Sequence, residues 1–373
     1  MRTRICQRLG CDSPIFAFTH CRDVVVEVTK AGGFGVLGAA TFSTEQLEAE
    51  LRWIDQHVDG RAYGVDVLIP GKYDNAAEAS DEQVLDLIPA AHRAFVDKLL
   101  DEAGLPPLPA AEQQRVREEL RARERSTTPS GARALLEVAL RHPQVKLVVS
   151  ALNPAPAEMV RDFHARGILV GGMVGSAHHA RKHREVGVDL IIAQGAEAGG
   201  HTGSISTLVL LPEVVDAAGP DISVLAAGGI SRGSQVAAAL AMGAEGVWTG
   251  TIWLGTRESE LAPYEKQALF AARAEDAIQS KSMTGKPVRL VRSGWTEAWA
   301  RPDAPPCLPP PLQNMIYRQA RARIDRAQRR DLYSYPAGQV VGGMKEEHSA
   351  REVMYRLQSE FAEALERLQV GPA

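Results

Sequence analysis

The residues best placed to do chemistry fall in one stretch, Gln194-Gly195-Ala196-Glu197-Ala198-Gly199-Gly200-His201-Thr202-Gly203. An imidazole titrates near neutrality, so His201 is the candidate general acid or base. Glycine permits positive φ and lets a flat ligand come close to the backbone, and here it delivers Gln194, Glu197 and His201 within a few residues of one another. An isolated loop histidine would more simply cap or hydrogen-bond locally; the glycine-dense setting favours chemistry. The preceding run, Leu190–Ala193, is short, apolar and β-branched and reads as a buried strand, so the reactive loop sits at a strand end.

Two further glycine turns follow strand-like runs. Ala226-Ala227-Gly228-Gly229-Ile230 opens a helix at Ser231, and Trp248-Thr249-Gly250-Thr251 follows the next run. Barrels bind phosphate between the loops after their last two strands, on backbone N–H groups and a helix N-terminus. The glycines remove the Cβ atoms that would hold a phosphate away, and Thr251 can donate a hydroxyl. The pair predicts a phosphate-bearing ligand reaching from these turns to the loop one strand earlier. A flavin mononucleotide, a sugar phosphate and a phosphorylated metabolite all fit that span.

Short apolar runs alternate with amphipathic stretches almost throughout. Strands are expected at Pro14–Phe18, Phe34–Leu37, Ala62–Leu68, Val145–Ser150, Ile168–Met173, Leu190–Ala193, Val224–Ala227 and Gly246–Thr249. Helices are expected at Asp23–Ala31, Ser43–His57, Pro156–Arg166, Ala177–Val186, Pro212–Ala218 and Arg232–Met242. Such alternation means parallel pairing by right-handed crossovers, and eight strands favour a closed α/β (β/α)8 TIM barrel over an open flavodoxin-like sheet.

The expected organisation is a barrel over residues 1–260, interrupted by a helical insertion over 72–142, with a helical extension over 261–373 packing back on it. The insertion is too long for an ordinary loop. Val84–Ile88, Phe95–Leu100 and Ala134–Leu140 have helical spacing, Gly104–Pro109 and Thr127–Gly131 punctuate it, and Gln113–Arg125 reads as an exposed Arg/Glu helix. It would form a lid or an oligomer surface, which makes a homodimer an expectation. In the extension, Leu261–Ile278 and the basic Met315–Arg330 read as helices, Pro302–Pro311 as an extended crossing and Glu346–Leu368 as a closing amphipathic helix.

Among 373 residues, 45% are hydrophobic and 24% charged, as in soluble globular proteins, and the net charge of -4 gives no case for nucleic acid or an anionic membrane. Residues 1–14 carry no apolar signal-peptide core, no run is long enough to span a bilayer, and a cytoplasmic location is expected. Cys6, Cys11, Cys21 and Cys307 fit a reducing compartment and lack zinc-ligand spacing, so no metal is expected. His178, His179 and His183 lie among Arg181, Lys182, Arg184 and Glu185 and read as a solvated helix face.

The segment Gln194–Gly203 closely resembles the signature of the nitronate monooxygenase (2-nitropropane dioxygenase-like) family of FMN-dependent barrels, which flavin-dependent enoyl reductases share. Ala31–Gly38, Tyr63–Asp66, Ala226–Ile230 with Gly243–Thr251, Thr284–Pro287 and Gly338-Gln339 resemble further segments of that family. The resemblance implies FMN held by Gln194, Gly195, Gly199, Gly200, Gly228, Gly229 and the Trp248–Thr251 turn, with Phe18 and Asp66 against it. It implies His201 as the catalytic acid or base; His20 and Glu197 are the candidates to meet a small-molecule substrate. The implied reaction converts an alkyl nitronate and oxygen into a carbonyl compound and nitrite. The alternative is reduction of an enone or enoyl thioester with NAD(P)H as reductant, and a non-redox phosphate-binding barrel stands third.

Four departures from the family pattern lie near the expected active end. Ala17-Phe18-Thr19-His20 stands where Gln-Ala-Pro-Met is usual, Asp66 where Asn is, Met173 where Thr is common, and Ile252-Trp253 where Arg-Phe is common. A carboxylate beside an anionic cofactor is costly unless paired or protonated. These changes point to a different substrate with FMN retained.

Overall fold

The computed structural model describes residues 2–40, 42–69, 87–116, 118, 128–151 and 153–370. The expected segments Val84–Ile88, Gln113–Arg125 and Thr127–Gly131 lie partly outside them. Eight parallel strands, β1 (Ile15–Thr19), β2 (Phe34–Gly38), β3 (Tyr63–Val67), β4 (Val145–Ser150), β5 (Leu169–Val174), β6 (Leu190–Gln194), β7 (Ser223–Ala227) and β8 (Gly246–Thr249), form a closed barrel in chain order. Closure comes from β8 pairing back on β1, with Ile15 opposite Val247 and Ala17 opposite Thr249. Open-sheet order is thereby excluded.

Side chains alternate between two cores, as the pleat requires. Phe16, Phe34, Val36, Leu147, Val149, Leu190, Ile192, Leu225 and Trp248 fill the barrel interior. Tyr63, Val65, Val67, Ile191 and Val224 face outward. The outer ring comprises α2 (Arg22–Lys30), α3 (Thr44–His57), α5 (Pro129–Ala139), α6 (Ala157–His164), α7 (Ala177–Glu185), α8 (Thr207–Ala218) and α9 (Gly233–Ala241). The closing helix α13 (Ala350–Val370) packs on α9 and α2.

The amino-terminal end of the barrel is plugged by α1 (Arg4–Leu9), a helix the periodicity did not announce because six residues are too few to show one. Ile5, Cys6, Leu9 and Cys11 join the interior cluster. Glu245 accepts from the Ile5 N–H at 2.9 Å and the Ser223 hydroxyl at 3.0 Å, and Arg4 sits 2.5 Å from it. Asp189 accepts from the Val170 N–H at 2.9 Å and pairs with Arg8 and His164.

The structure corrects three expectations. Helix α8 begins at Thr207, with Pro212 inside it; proline reads as a start signal, but the cap here comes from Glu197, ten residues upstream. The stretch read as one helix over Leu261–Ile278 is α10 (Pro263–Ala271) followed by strand β9 (Ala277–Ser280), which pairs with β10 (Val288–Val291) in an antiparallel hairpin. His183 is buried at 2% exposure. Its ring occupies the space where a Cβ on Gly172 would lie, and burial lowers its pKa to about 4. A further packing, on which the sequence was silent, joins α4 (Ala90–Glu102) of the insertion to the extension.

There α4 joins α11 (Gly294–Trp299) and α12 (Leu312–Arg326) around Val96, Leu100, Trp295, Trp299, Tyr317 and Ile324. The arginines of α12 are partly neutralised internally. Arg323 pairs with Asp97 and Asp101, and Arg326 with Glu112. The basic helix is thus in good part an ion-paired seam between insertion and extension.

Candidate functional site at the barrel mouth

By strand parity, the carboxyl ends of the strands deliver Phe18, Asp66, Met173 and Gln194 to the inside of the mouth. Phe18 stacks on Trp248 with ring centroids 6.0 Å apart and meets His20 edge-on at 5.2 Å. Gly38 lets these rings cross the end of β2, since a Cβ there would lie 2.7 Å from the His20 imidazole. The His20 Nδ1 lies 2.9 Å from the Gly38 carbonyl, which can only accept, so that nitrogen carries the proton. Trp248 is buried and forms the apolar floor under Phe18.

Asp66 is 3% exposed, and its Oδ2 has no hydrogen-bond partner among the described residues. Burial alone raises its pKa well above the ordinary carboxylate range. The basic partner that an ionised Asp66 would need is not present among the described residues.

The reactive loop is held from outside. Glu197 accepts from the Thr207 N–H at 2.9 Å and its hydroxyl at 3.0 Å, which caps α8, and its carbonyl accepts from the Gln339 N–H at 3.0 Å. Gly200 pairs with Arg289 as a short antiparallel bridge to β10, and the Arg289 Nε donates to the Ala196 carbonyl at 2.7 Å. Gln279 donates to the Thr202 hydroxyl at 3.1 Å. Loop and hairpin therefore form one continuous backbone surface.

His201 gains its orientation from that hairpin. Its Nδ1 lies 3.1 Å from the Pro287 carbonyl, which again requires the proton on Nδ1 and leaves Nε2 with its lone pair. The residue keeps an exposed edge. Desolvation by the packed loop is the largest influence and lowers its pKa; the Lys286 charge acts the same way and the Pro287 carbonyl opposes them. A neutral imidazole with a free Nε2 is a proton acceptor at neutral pH.

The glycines divide into two kinds. A Cβ on Gly195 would lie 2.1 Å from the Thr207 hydroxyl, and one on Gly199 would lie 2.8 Å from the 337–338 backbone. These two are small because the protein packs against them. Gly200, Gly228 and Gly229 have φ of 83°, 95° and 73°. A Cβ on Gly229 or Gly250 would make only ordinary contacts, the nearest at 3.4 Å and 3.8 Å. The N–H groups of Gly228, Gly229 and Gly250 carry no hydrogen bond among the described residues. Of the flanking hydroxyls, Thr249 donates to the Phe16 carbonyl inside the wall, whereas Thr251 accepts from the Gly338 N–H at 2.8 Å and keeps its own proton.

Sequence reasoning did not assign Thr207, Pro287 or Arg289 to the site. Thr284–Pro287 and Gly338-Gln339 were visible as family-like segments, and both touch the reactive loops. Gly338 is required there, since a Cβ would lie 2.6 Å from the Glu197 carbonyl. Among the described residues no cluster could hold a metal ion, and no helix is long and apolar enough to cross a membrane.

The mouth of a closed parallel barrel thus carries a neutral histidine, two open glycine turns and a loop locked by a following hairpin. The model of the nitronate monooxygenase family matches residues 19–360, and the chain belongs to that family. It is 47% identical over 377 residues to Rv1533 of Mycobacterium tuberculosis, whose name proposes a monooxygenase, with 99% of each chain covered. It is 30% identical over 297 residues to a hydroxy-methyl-oxo-octahydroindene-carboxyl-CoA dehydrogenase of Rhodococcus jostii, over 79% of this chain and 66% of that one. Among solved structures, a nitroalkane oxidase of Streptomyces ansochromogenes aligns with a TM-score of 0.75 and 26% identity over 98% of this chain and 99% of that one.

Proposed function

We propose that the protein is an FMN-dependent oxidase of alkyl nitronates that uses His201 as its proton-handling group. The observation that carries this reading is the Nδ1–Pro287 contact, which leaves a neutral Nε2 at the mouth of the barrel. The groups at the barrel mouth suit a flat, phosphate-bearing cofactor. Gly228, Gly229 and Gly250 offer unused N–H groups, and the Phe18–Trp248 pair offers an apolar face. Bound there, FMN would supply the electron acceptor for the oxidation, with oxygen as the final oxidant.

The remaining steps belong to side chains. His201 Nε2 removes the α-proton of a nitroalkane or positions the nitronate already formed. A depressed pKa keeps it unprotonated at working pH. Lys286 and Arg289 bring positive charge toward the loop where the anionic nitronate would rest. Phe18 and Met173 keep water from the apolar side of the pocket.

The test is oxygen uptake and nitrite release by FMN-loaded protein given an alkyl nitronate, under conditions where His201→Asn retains flavin. Nitronate-dependent turnover lost in the variant supports the reading; no turnover by flavin-loaded wild type overturns it. The 30% identity to the octahydroindene-carboxyl-CoA dehydrogenase supports a second reading, redox chemistry on a CoA thioester. Rapid anaerobic bleaching by NADPH or NADH, reversed by an enoyl thioester, would decide for that one.

A further inference from the structure

Asp66 stands apart from the other buried polar groups of the barrel interior. It follows Gly64 on the inward-facing side of β3, where a Cβ on Gly64 would touch Phe34, Val36 and the Leu147 carbonyl. Its ladder neighbours are Gly38 on β2 and Val149 on β4. Neither carries a charge or a hydrogen-bonding side chain.

The groups that titrate around β3 face elsewhere. Tyr63, of opposite parity, donates to Asp55 on the outer side, where His142 also binds Asp55 at 2.6 Å. From β1, His20 directs Nδ1 to the Gly38 carbonyl. No charged group among the described residues perturbs Asp66; desolvation is the sole influence on it. A fully buried carboxyl with an orphan oxygen is stable only when neutral, and a neutral carboxyl is a hydrogen-bond donor.

We propose that Asp66 is held as a carboxylic acid and donates its proton in a hydrogen bond to an acceptor atom of the flavin at the barrel mouth, doing the work of an amide with a group that ionisation can switch off. The proposal rests on the flavin reading and deepens it. An aspartate at this place retains an amide's shape and adds a titration that an asparagine lacks. Deprotonation would replace the donor by a buried anion facing the lone pair of that acceptor atom, so affinity for flavin falls once the carboxyl ionises. His201 is unaffected by this step and keeps its role.

Infrared difference spectroscopy of the holoprotein tests the protonation state directly. The carbonyl stretch of a protonated carboxyl, sensitive to deuterium exchange and missing in Asp66→Asn, is the expected result. Flavin titrations across pH test the donor. Wild-type affinity should be level and then fall about tenfold per pH unit above the ionisation point, as release of one proton requires. Asp66→Asn should bind at least as well and show no such fall, and Asp66→Ala should bind about fivefold to tenfold more weakly throughout.

A flavin-loaded protein without the carboxyl band overturns the proposal and leaves the flavin reading intact. Equal pH profiles for wild type and Asp66→Asn overturn the donor role. Protein that takes up no FMN overturns the flavin reading and the donor role together, whatever the band shows. The infrared measurement needs only wild-type protein to find the band, so a variant that misfolds does not shield the proposal.

Discussion

The two ends of the barrel are built from the same strands and treat polar groups in opposite ways. At the amino-terminal end, Glu245 and Asp189 each satisfy a backbone N–H and pair with an arginine from α1, and the plug adds apolar side chains to the interior core. At the carboxyl end, among the described residues, Asp66 Oδ2 has no hydrogen-bond partner, the N–H groups of Gly228, Gly229 and Gly250 carry no hydrogen bond, and His201 keeps the Nε2 lone pair. One end contributes stability and the other keeps capacity for a ligand. An unsatisfied buried polar group destabilises a fold by about 1–3 kcal/mol, and Asp66, 3% exposed, is such a group at the carboxyl end.

That contrast can be broken most forcefully at His201. His201→Asn should lower turnover by about 10²–10⁴-fold with little change in melting temperature, read by steady-state kinetics beside calorimetry. Unchanged turnover would remove His201 from the chemistry. The reverse outcome is expected at the plug. Glu245→Ala should cost about 2–3 kcal/mol in urea unfolding, since it strands the Ile5 N–H and Arg4. Its kcat per folded molecule should not move; a large fall in kcat would mean the ends are coupled.

Asp66→Asn sharpens the same contrast through pH. The folded state holds a proton that the unfolded chain releases above about pH 4, so wild-type stability erodes as pH rises from there toward the raised folded value. The variant should therefore gain stability at neutral pH, and the gain should vanish as pH falls toward about 4. A constant gain across that range would mean that packing, with no titration, explains it. The smallest effect belongs to Lys286→Ala. Removing its charge lets the His201 pKa rise, so the acid limb of kcat/KM should move to higher pH. A limb that stays in place would mean Lys286 is screened from the imidazole.

Much of this was legible from the residues. Alternation of apolar runs with amphipathic stretches located all eight strands to within about a residue or two, because every strand of a parallel barrel is buried on both faces. Gln194–Gly203 marked the reactive loop by its glycines and its histidine. The partners of that loop were not legible. The carbonyl that orients His201 lies 86 residues later, and the Glu197 cap on Thr207 reads in sequence as a candidate ligand group. Gly195 and Gly199 look like ligand-facing glycines, yet protein atoms occupy the space beside them. At Asp66 the sequence left pairing and protonation both open, and the burial that raises its pKa is a property of the folded barrel. The β9–β10 hairpin was hidden because strands of four residues leave no clear period.

The dependence of the reactive loop on the extension also has a consequence in time. The barrel's last strand is complete at Thr249, but the Pro287 carbonyl and the Gly338-Gln339 clamp lie beyond it. On a growing chain all eight strands can pair before the histidine has its support. Until the extension arrives, the His201 ring lacks the carbonyl that orients it, so the geometry of the reactive loop is acquired last.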